Sequence, residues 1–153
     1  MIILWILGAI CSVFFTVLTW ILAPWLATKA GADGNLPRRL RWFQTFDATL
    51  DEGRKPQYGF TGTDVEVRTK WLRRNPGYGF DYYLLGVKFV ADDWVIIRND
   101  DKVFYALSKN GAFNYTTKTG RWRIKIGWKY WNRVDSTNWN GFEKIPICCS
   151  VSR

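Results

Sequence analysis

The N-terminal segment decides the fold class: residues 1–28 read MIILWILGAICSVFFTVLTWILAPWLAT and contain no Asp, Glu, Lys or Arg. A helix needs about 20 such apolar residues to cross about 30 Å of hydrocarbon. Trp5 lies near one end of this stretch, and Trp20 and Trp25 lie near the other, as in the aromatic belts of membrane interfaces. We therefore predict a transmembrane helix over residues 1–28.

A cleaved signal peptide is the alternative interpretation of this segment. Signal peptides begin with basic residues and have a shorter apolar core than the one found here. Residues 27–30 read ATKA, a small-residue pattern that leaves cleavage open. The length of the apolar stretch favours a retained anchor.

Flanking charges predict the orientation of the helix. Only the α-amino group precedes it, whereas Lys29, Arg38, Arg39 and Arg41 follow closely. The positive-inside rule then places the C-terminal domain in the cytoplasm and the N-terminus outside. These four cations and the three tryptophans named above are the predicted membrane-interface residues.

Small residues are spaced by four along one side of the apolar segment, at Gly8, Ser12 and Thr16. Such residues let a second helix approach closely, so a contact with another membrane protein or with a second copy is one interpretation, although the alternative that follows is the one we favour. The alternative is that they reflect the ordinary composition of transmembrane helices.

Residues 29–58 are predicted to be a juxtamembrane linker with an amphipathic segment. Leu36, Leu40, Phe43 and Phe46 recur at helical spacing, whereas the neighbouring arginines point elsewhere. This segment either lies on an anionic membrane surface or packs on the soluble domain.

Residues 59–153 are predicted to form a β-rich soluble domain. Thr63 and Glu66 match a capping box that begins a short helix ending before Asn75-Pro76, with a strand over Val65–Val67 as the alternative. We then predict strands near residues 82–90, 94–98, 103–108, 112–116, 121–130 and 145–151. Their short connections favour an antiparallel meander. The predicted fold class is an α+β membrane protein with one N-terminal transmembrane helix, a small mostly antiparallel sheet and one or two short helices.

The clearest predicted strand covers residues 121–130, where large apolar residues alternate with basic residues or glycine. One face should be buried and the other basic. The basic face is either an ordinary solvated side or a contact surface for phosphate groups. Its candidate anion-contacting residues are Arg121, Arg123, Lys125 and Lys129. The net charge of +9 favours an anionic partner, and we favour a lipid bilayer over nucleic acid.

No catalytic, metal-binding or cofactor-binding residue is predicted. The chain has no His, and its three Cys show no zinc spacing. Its paired carboxylates fall in predicted turns, where Asp is favoured for backbone reasons. Trp131, Trp139 and Phe142 lie in an Asn- and Gly-rich stretch, where aromatics plug the end of a sheet or form a sugar- or base-stacking platform. We favour the plug and a protein that is not an enzyme.

Several stretches together resemble small membrane proteins of unknown activity encoded by tailed bacteriophages. The resemblance lies in residues 35–37, 42–45, 47, 50–51, 74–80 and 126–129, although Phe46 stands where a proline would be expected. It implies a phage origin and the inner membrane of a bacterial host, and it names no functional residue.

The leading functional prediction is a phage-encoded single-pass inner-membrane protein. It would present a basic, aromatic-rich β domain to the cytoplasm in a non-enzymatic binding or host-envelope role. One alternative is a structural or DNA-delivery component of the virion. The other is a periplasmic carbohydrate-binding domain that uses Trp131 and Trp139.

Overall fold

A computed structural model describes residues 1–130 and 143–152. The chain divides into two compact units. Unit 1 contains residues 1–9 and 85–153, and unit 2 contains residues 10–84. The prediction for Trp131, Trp139 and Phe142 lies outside the described residues.

Helix α1 spans Ile2–Ala27 and contributes to both units. This confirms the predicted N-terminal apolar helix. Among the described residues it alone is long and apolar enough to cross a membrane, a criterion that a signal sequence also meets. The less exposed positions recur every three or four residues and therefore form one face: residues 5, 8, 9, 12, 15, 16, 18, 19, 22, 23, 26 and 27.

Unit 2 adds two short helices and two 3₁₀ turns to its part of α1. The 3₁₀ turns are Arg38–Phe43 and Leu50–Arg54. Helix α2 spans Asp64–Arg74 with the predicted capping box, so the alternative of a strand at residues 65–67 was wrong.

The core of unit 2 forms where the second half of α1 meets the rest of the unit. Its buried apolar residues are Ala23, Leu26, Ala27, Leu36, Leu50, Trp71 and Leu72. Leu40 and Phe43 pack against this cluster. The apolar residues of the juxtamembrane segment therefore pack on the protein itself, which was one of the two predicted arrangements.

The first predicted strand was wrong over its first half. Helix α3 spans Tyr78–Tyr83, and only Val87–Lys88 (β1) is extended. The reason lies in two glycines. Gly77, which precedes α3, has a φ of +73°. Gly79 lies against main-chain carbonyls, and a Cβ placed on it would lie 3.0 Å from the carbonyl oxygen of Trp42. These tertiary contacts override the β propensity of the aromatic residues.

Unit 1 contains the predicted antiparallel meander. Five strands pair in the order β2-β3-β4-β5-β7. They are β2 (Trp94–Asn99), β3 (Val103–Ser108), β4 (Phe113–Thr119), β5 (Trp122–Trp128) and β7 (Ile147–Ser152). A separate antiparallel pair joins β1 to β6 (Lys144–Ile145).

The core of unit 1 lies at one end of this sheet and includes Trp94, Ala106, Trp128 and Ile147. The predicted burial along the apolar side of β5 was therefore only partly right. Trp128 is 3% exposed, but Trp122 is 51% exposed at the other end of the strand.

Candidate membrane-binding surface

The outer face of α1 is apolar along its whole length. It consists of Ile2, Ile3, Leu4, Ile6, Leu7, Ile10, Val13, Phe14, Val17, Trp20, Ile21 and Trp25, all of them exposed. Exposed apolar surfaces of this extent mark contacts with a membrane or another protein. We call these twelve residues the outer face of α1.

Two predicted interface tryptophans on this face are paired with cations in unit 2. The Arg73 guanidinium lies 4.6 Å from the centre of the Trp20 ring, and its Nε donates a hydrogen bond to the Trp20 carbonyl at 3.4 Å. The Lys29 ammonium lies 5.6 Å from the Trp25 ring centre. Tryptophan with a neighbouring cation suits the boundary between acyl chains and headgroups. Sequence analysis missed Arg73, since its approach depends on how α2 packs beside α1.

Trp5 has a different environment from Trp20 and Trp25. Within unit 1 its Nε1 donates a hydrogen bond to the Cys148 carbonyl at 3.3 Å. Its ring meets Phe113 edge-on at 5.8 Å between centroids. The structure thus places this predicted interface residue against the sheet.

The predicted interface arginines also divide into two groups. Arg38 and Arg39 are exposed. Arg41 is half-buried, and its Nε donates to the Leu36 carbonyl at 2.8 Å. Arg38 and Arg39 therefore lie on the surface, while the Arg41 side chain holds its own loop.

The small residues predicted to contact another helix lie on the inner face of α1. In unit 1 a Cβ placed on Gly8 would lie 2.9 Å from Cδ1 of Ile147 and 3.6 Å from the Leu85 side chain. In unit 2 a Cβ placed on Gly77 would lie 3.5 Å from the main-chain nitrogen of Thr16. Ser12 is half-buried on the same face. At Gly8 and Thr16 the chain's own residues occupy this face.

The strand register gives the sheet of unit 1 two different faces. One face has no charged side chain across β3, β4, β5 and β7, and we call it the uncharged sheet face. It consists of Val103, Tyr105, Leu107, Phe113, Tyr115, Thr117, Thr119, Trp122, Ile124, Ile126, Trp128, Ile147, Cys149 and Val151. The edge strand β2 adds Val95 and Arg98 to this side, and Arg98 pairs with Asp100.

The opposite face carries two of the four predicted anion-contacting residues. Arg123 lies opposite Lys118 of β4, and Lys125 lies opposite Thr116. Arg121 precedes β5 and Lys129 follows it, so these two lie outside the strand. Lys118 was missed, because only the register of the β4–β5 pair brings it beside Arg123. In the described part of the chain no ion pair is recorded for Lys118, Arg123 or Lys125.

Two of the carboxylates in the turns, Asp93 and Asp100, have structural partners. Asp100 accepts hydrogen bonds from the Arg98 side chain and from the backbone N–H groups of Lys102 and Val103, and these bonds lower the pKa of Asp100 to about 2. Asp93 pairs with Lys109 at 3.2 Å. Among residues 1–130 and 143–152 no group of three His, Cys, Asp or Glu side chains could hold a metal ion.

Residues in and beside the stretches that carry the family resemblance stabilise unit 2. Gln44 is 1% exposed. Its Oε1 accepts from the Leu36 N–H at 2.8 Å, and its Nε2 donates to Asn35 Oδ1 and to the Ala48 carbonyl, each at 2.8 Å. Phe46, at the position where proline was expected, stacks on Tyr82 at 4.0 Å.

The Asp51–Arg68 ion pair joins the second 3₁₀ turn to α2. Arg68 Nε and Nη2 donate to the two carboxylate oxygens of Asp51 at 2.7 and 2.9 Å. This hydrogen bonding to Arg68 lowers the pKa of Asp51, although partial burial opposes it. Gln44 and Asp51 belong to residues 42–45 and 50–51, which carry the family resemblance. Their contacts indicate that these residues stabilise the conformation of unit 2.

Comparison with known proteins gives a family without an assigned activity. No curated protein and no solved structure matches the chain. The chain belongs to DUF7338, a family of unknown function, whose family model matches residues 1–153.

Proposed function

We propose that this member of DUF7338 is a non-enzymatic membrane protein that binds the bilayer through α1 and acts by binding a partner there. The observation that carries the proposal is the outer face of α1, which is exposed and uncharged over the length of a 26-residue helix. Burying one large apolar side chain is worth about 1.5–3 kcal/mol. The twelve side chains of the outer face are not buried within the folded units, so a bilayer could still supply this free energy of burial.

Contacts on the inner face of α1 favour a retained anchor over a cleaved signal peptide. Ala23, Leu26 and Ala27 are each 0–1% exposed and belong to the core of unit 2. Phe15 stacks on Phe43 at 4.6 Å and on Phe80 at 4.4 Å. Removal of α1 would strip this core of one side, so the folded protein needs the segment.

Charge supports an anionic surface as the binding partner. Lys29 and Arg73 flank the tryptophans of the outer face, and Arg38 and Arg39 are exposed nearby in sequence. Basic residues beside an apolar helix are attracted to anionic lipid headgroups by about 1 kcal/mol each. We propose the cytoplasmic leaflet of a bacterial inner membrane, in a host-envelope role during infection by a tailed phage.

Fractionation of the full-length protein expressed in bacteria tests the proposal. The wild type should sediment with membranes and resist a high-salt wash. The double variant Ile10→Asp, Val17→Asp should move to the soluble fraction, because a carboxylate at a lipid-facing position costs about 2.5–3.5 kcal/mol. Both positions are exposed, so the folded core should survive.

The matched control is Ile10→Met, Val17→Met, which keeps both positions apolar and should remain with the membranes. A wild-type protein found wholly in the soluble fraction would refute the proposal. Equal behaviour of the Asp and Met variants would show that the outer face of α1 is not what binds the membrane.

A further inference from the structure

We propose that the uncharged sheet face of unit 1 is a second bilayer-contacting surface, and that the first nine residues of α1 lie along the membrane on the same side as the sheet. This inference rests on the proposed membrane function. Sequence analysis predicted that α1 crosses the membrane with the N-terminus outside; the inference instead places the start of the helix in the plane of the membrane. It uses contacts within unit 1 alone.

The start of α1 is tied to the sheet at three points. A Cβ placed on Gly111 would lie 2.9 Å from Cγ of Met1, and Gly8 is similarly close to Ile147. Between them, Trp5 contacts Phe113 and donates to the Cys148 carbonyl. A helix that crossed the bilayer would place these residues about 30 Å from a domain on the other side. The contacts therefore require the N-terminus and the sheet to share one side of the membrane.

Within unit 1 the start of α1 contacts one end of the uncharged sheet face, at Phe113 and Ile147. Farther along the strands, Trp122 is 51% exposed, Ile124 is 40% exposed and Val151 is 65% exposed. An ordinary solvated sheet face would carry polar or charged side chains at such positions. Across β4 and β5 the charges lie on the opposite face, at Lys118, Arg123 and Lys125, and the one cation on the near side, Arg98 of the edge strand β2, is paired with Asp100. The sheet therefore presents its apolar side as a contact surface.

A bilayer fits this surface because the apolar start of α1 adjoins it. The face is occupied at one end by the start of α1, whose outer residues Ile2, Ile3 and Ile6 are themselves exposed. Trp122 and Tyr115 have the amphipathic rings that are enriched at headgroup level. The main-chain groups are paired in the ladders on both sides of β4 and β5, so no backbone group needs water there.

Cys149 provides a probe position on this face. It is exposed, and it lies opposite Ile126 in the register of β5 and β7. A nitroxide label would be attached to Cys149 in the full-length protein after Cys11→Ala and Cys148→Ala substitutions. The protein would be bound to vesicles of phosphatidylglycerol and phosphatidylethanolamine, and the collision rates of the label with oxygen and with a water-soluble nickel chelate would be compared.

The control moves the thiol by one residue. Ser150 is also exposed, and it lies opposite Lys125 on the other face. A Cys149→Ser, Ser150→Cys variant carries the same label on the same strand. We expect an oxygen-to-nickel collision ratio several-fold higher at position 149 than at position 150.

Other outcomes overturn the inference in distinguishable ways. Equal, water-like ratios on vesicle-bound protein would refute the sheet contact and leave the proposed function intact. Dipolar broadening between labels at position 149 would show that a second copy covers the face. Protein that does not bind vesicles would refute the proposed function itself. An N-terminal peptide tag cleaved by protease outside intact spheroplasts would show that α1 crosses the membrane.

Discussion

Replacing Gln44 with methionine tests whether the loop of residues 35–48 is held by one buried side chain. Gln44 makes three hydrogen bonds of 2.8 Å and is almost fully buried. Methionine has a similar volume and an unbranched chain, so the substitution removes the hydrogen bonds with little change in packing. The effect therefore isolates the polar contribution.

The expected loss follows from the environment of each partner. The Leu36 N–H loses the acceptor Gln44 Oε1, and Leu36 is 1% exposed, so a buried donor is left unpaired at a cost of about 1–3 kcal/mol. Asn35 is half-exposed and can be hydrated. The Ala48 carbonyl keeps a hydrogen bond from the Thr45 hydroxyl at 3.2 Å. The last two losses add about 1 kcal/mol, for a total of about 2–4 kcal/mol.

Thermal unfolding in detergent micelles, followed by near-ultraviolet circular dichroism, measures this loss. A destabilisation of that size should lower Tm by about 5–15 °C in a chain of this length. Gln57→Met is the matched control, since Gln57 is exposed and should tolerate the same change. If Gln44→Met lowers Tm no more than Gln57→Met does, the reasoning about the buried hydrogen bonds is wrong.

Three further substitutions test other features of unit 2. Gly79→Ala should cost about 1–3 kcal/mol because its Cβ would overlap main-chain carbonyls that cannot move freely, and an unchanged Tm would contradict this. Thr63→Ala should cost about 1 kcal/mol by removing the cap of α2, seen as faster amide exchange in its first turn, whereas Thr63→Ser should still accept the hydrogen bond from the Glu66 N–H. Hydrogen bonding to Arg68 lowers the pKa of Asp51 in the folded protein. The ion pair therefore stabilises the fold fully at neutral pH, and this stabilisation is lost as pH falls below the ordinary Asp pKa of about 3.9. Asp51→Asn should therefore lower Tm more at pH 7 than at about pH 2.5, and equal losses at the two pH values would argue against the ion pair.

Local sequence signals predicted the elements whose stability comes from neighbouring residues. The uncharged N-terminal stretch is helical, the capping box begins α2, and the short turns give the antiparallel meander. The strand at residues 121–130 was placed correctly, because alternation and turn chemistry act over a few residues. The burial of its apolar side was predicted only in part, since the residues that cover a sheet face come from elsewhere in the chain.

The sequence by itself determined that α1 would be a long apolar helix, that the strands would form hairpins and that the charge would be basic. The small residues Gly8, Ser12 and Thr16 marked the side of α1 that is covered, but only the tertiary structure decided that the chain's own residues cover it, since a stripe of small residues does not specify its partner. Trp5 reaches Cys148 across 143 residues of sequence, and Lys118 meets Arg123 only through strand register. Such pairings arise from long-range packing, which no short pattern encodes.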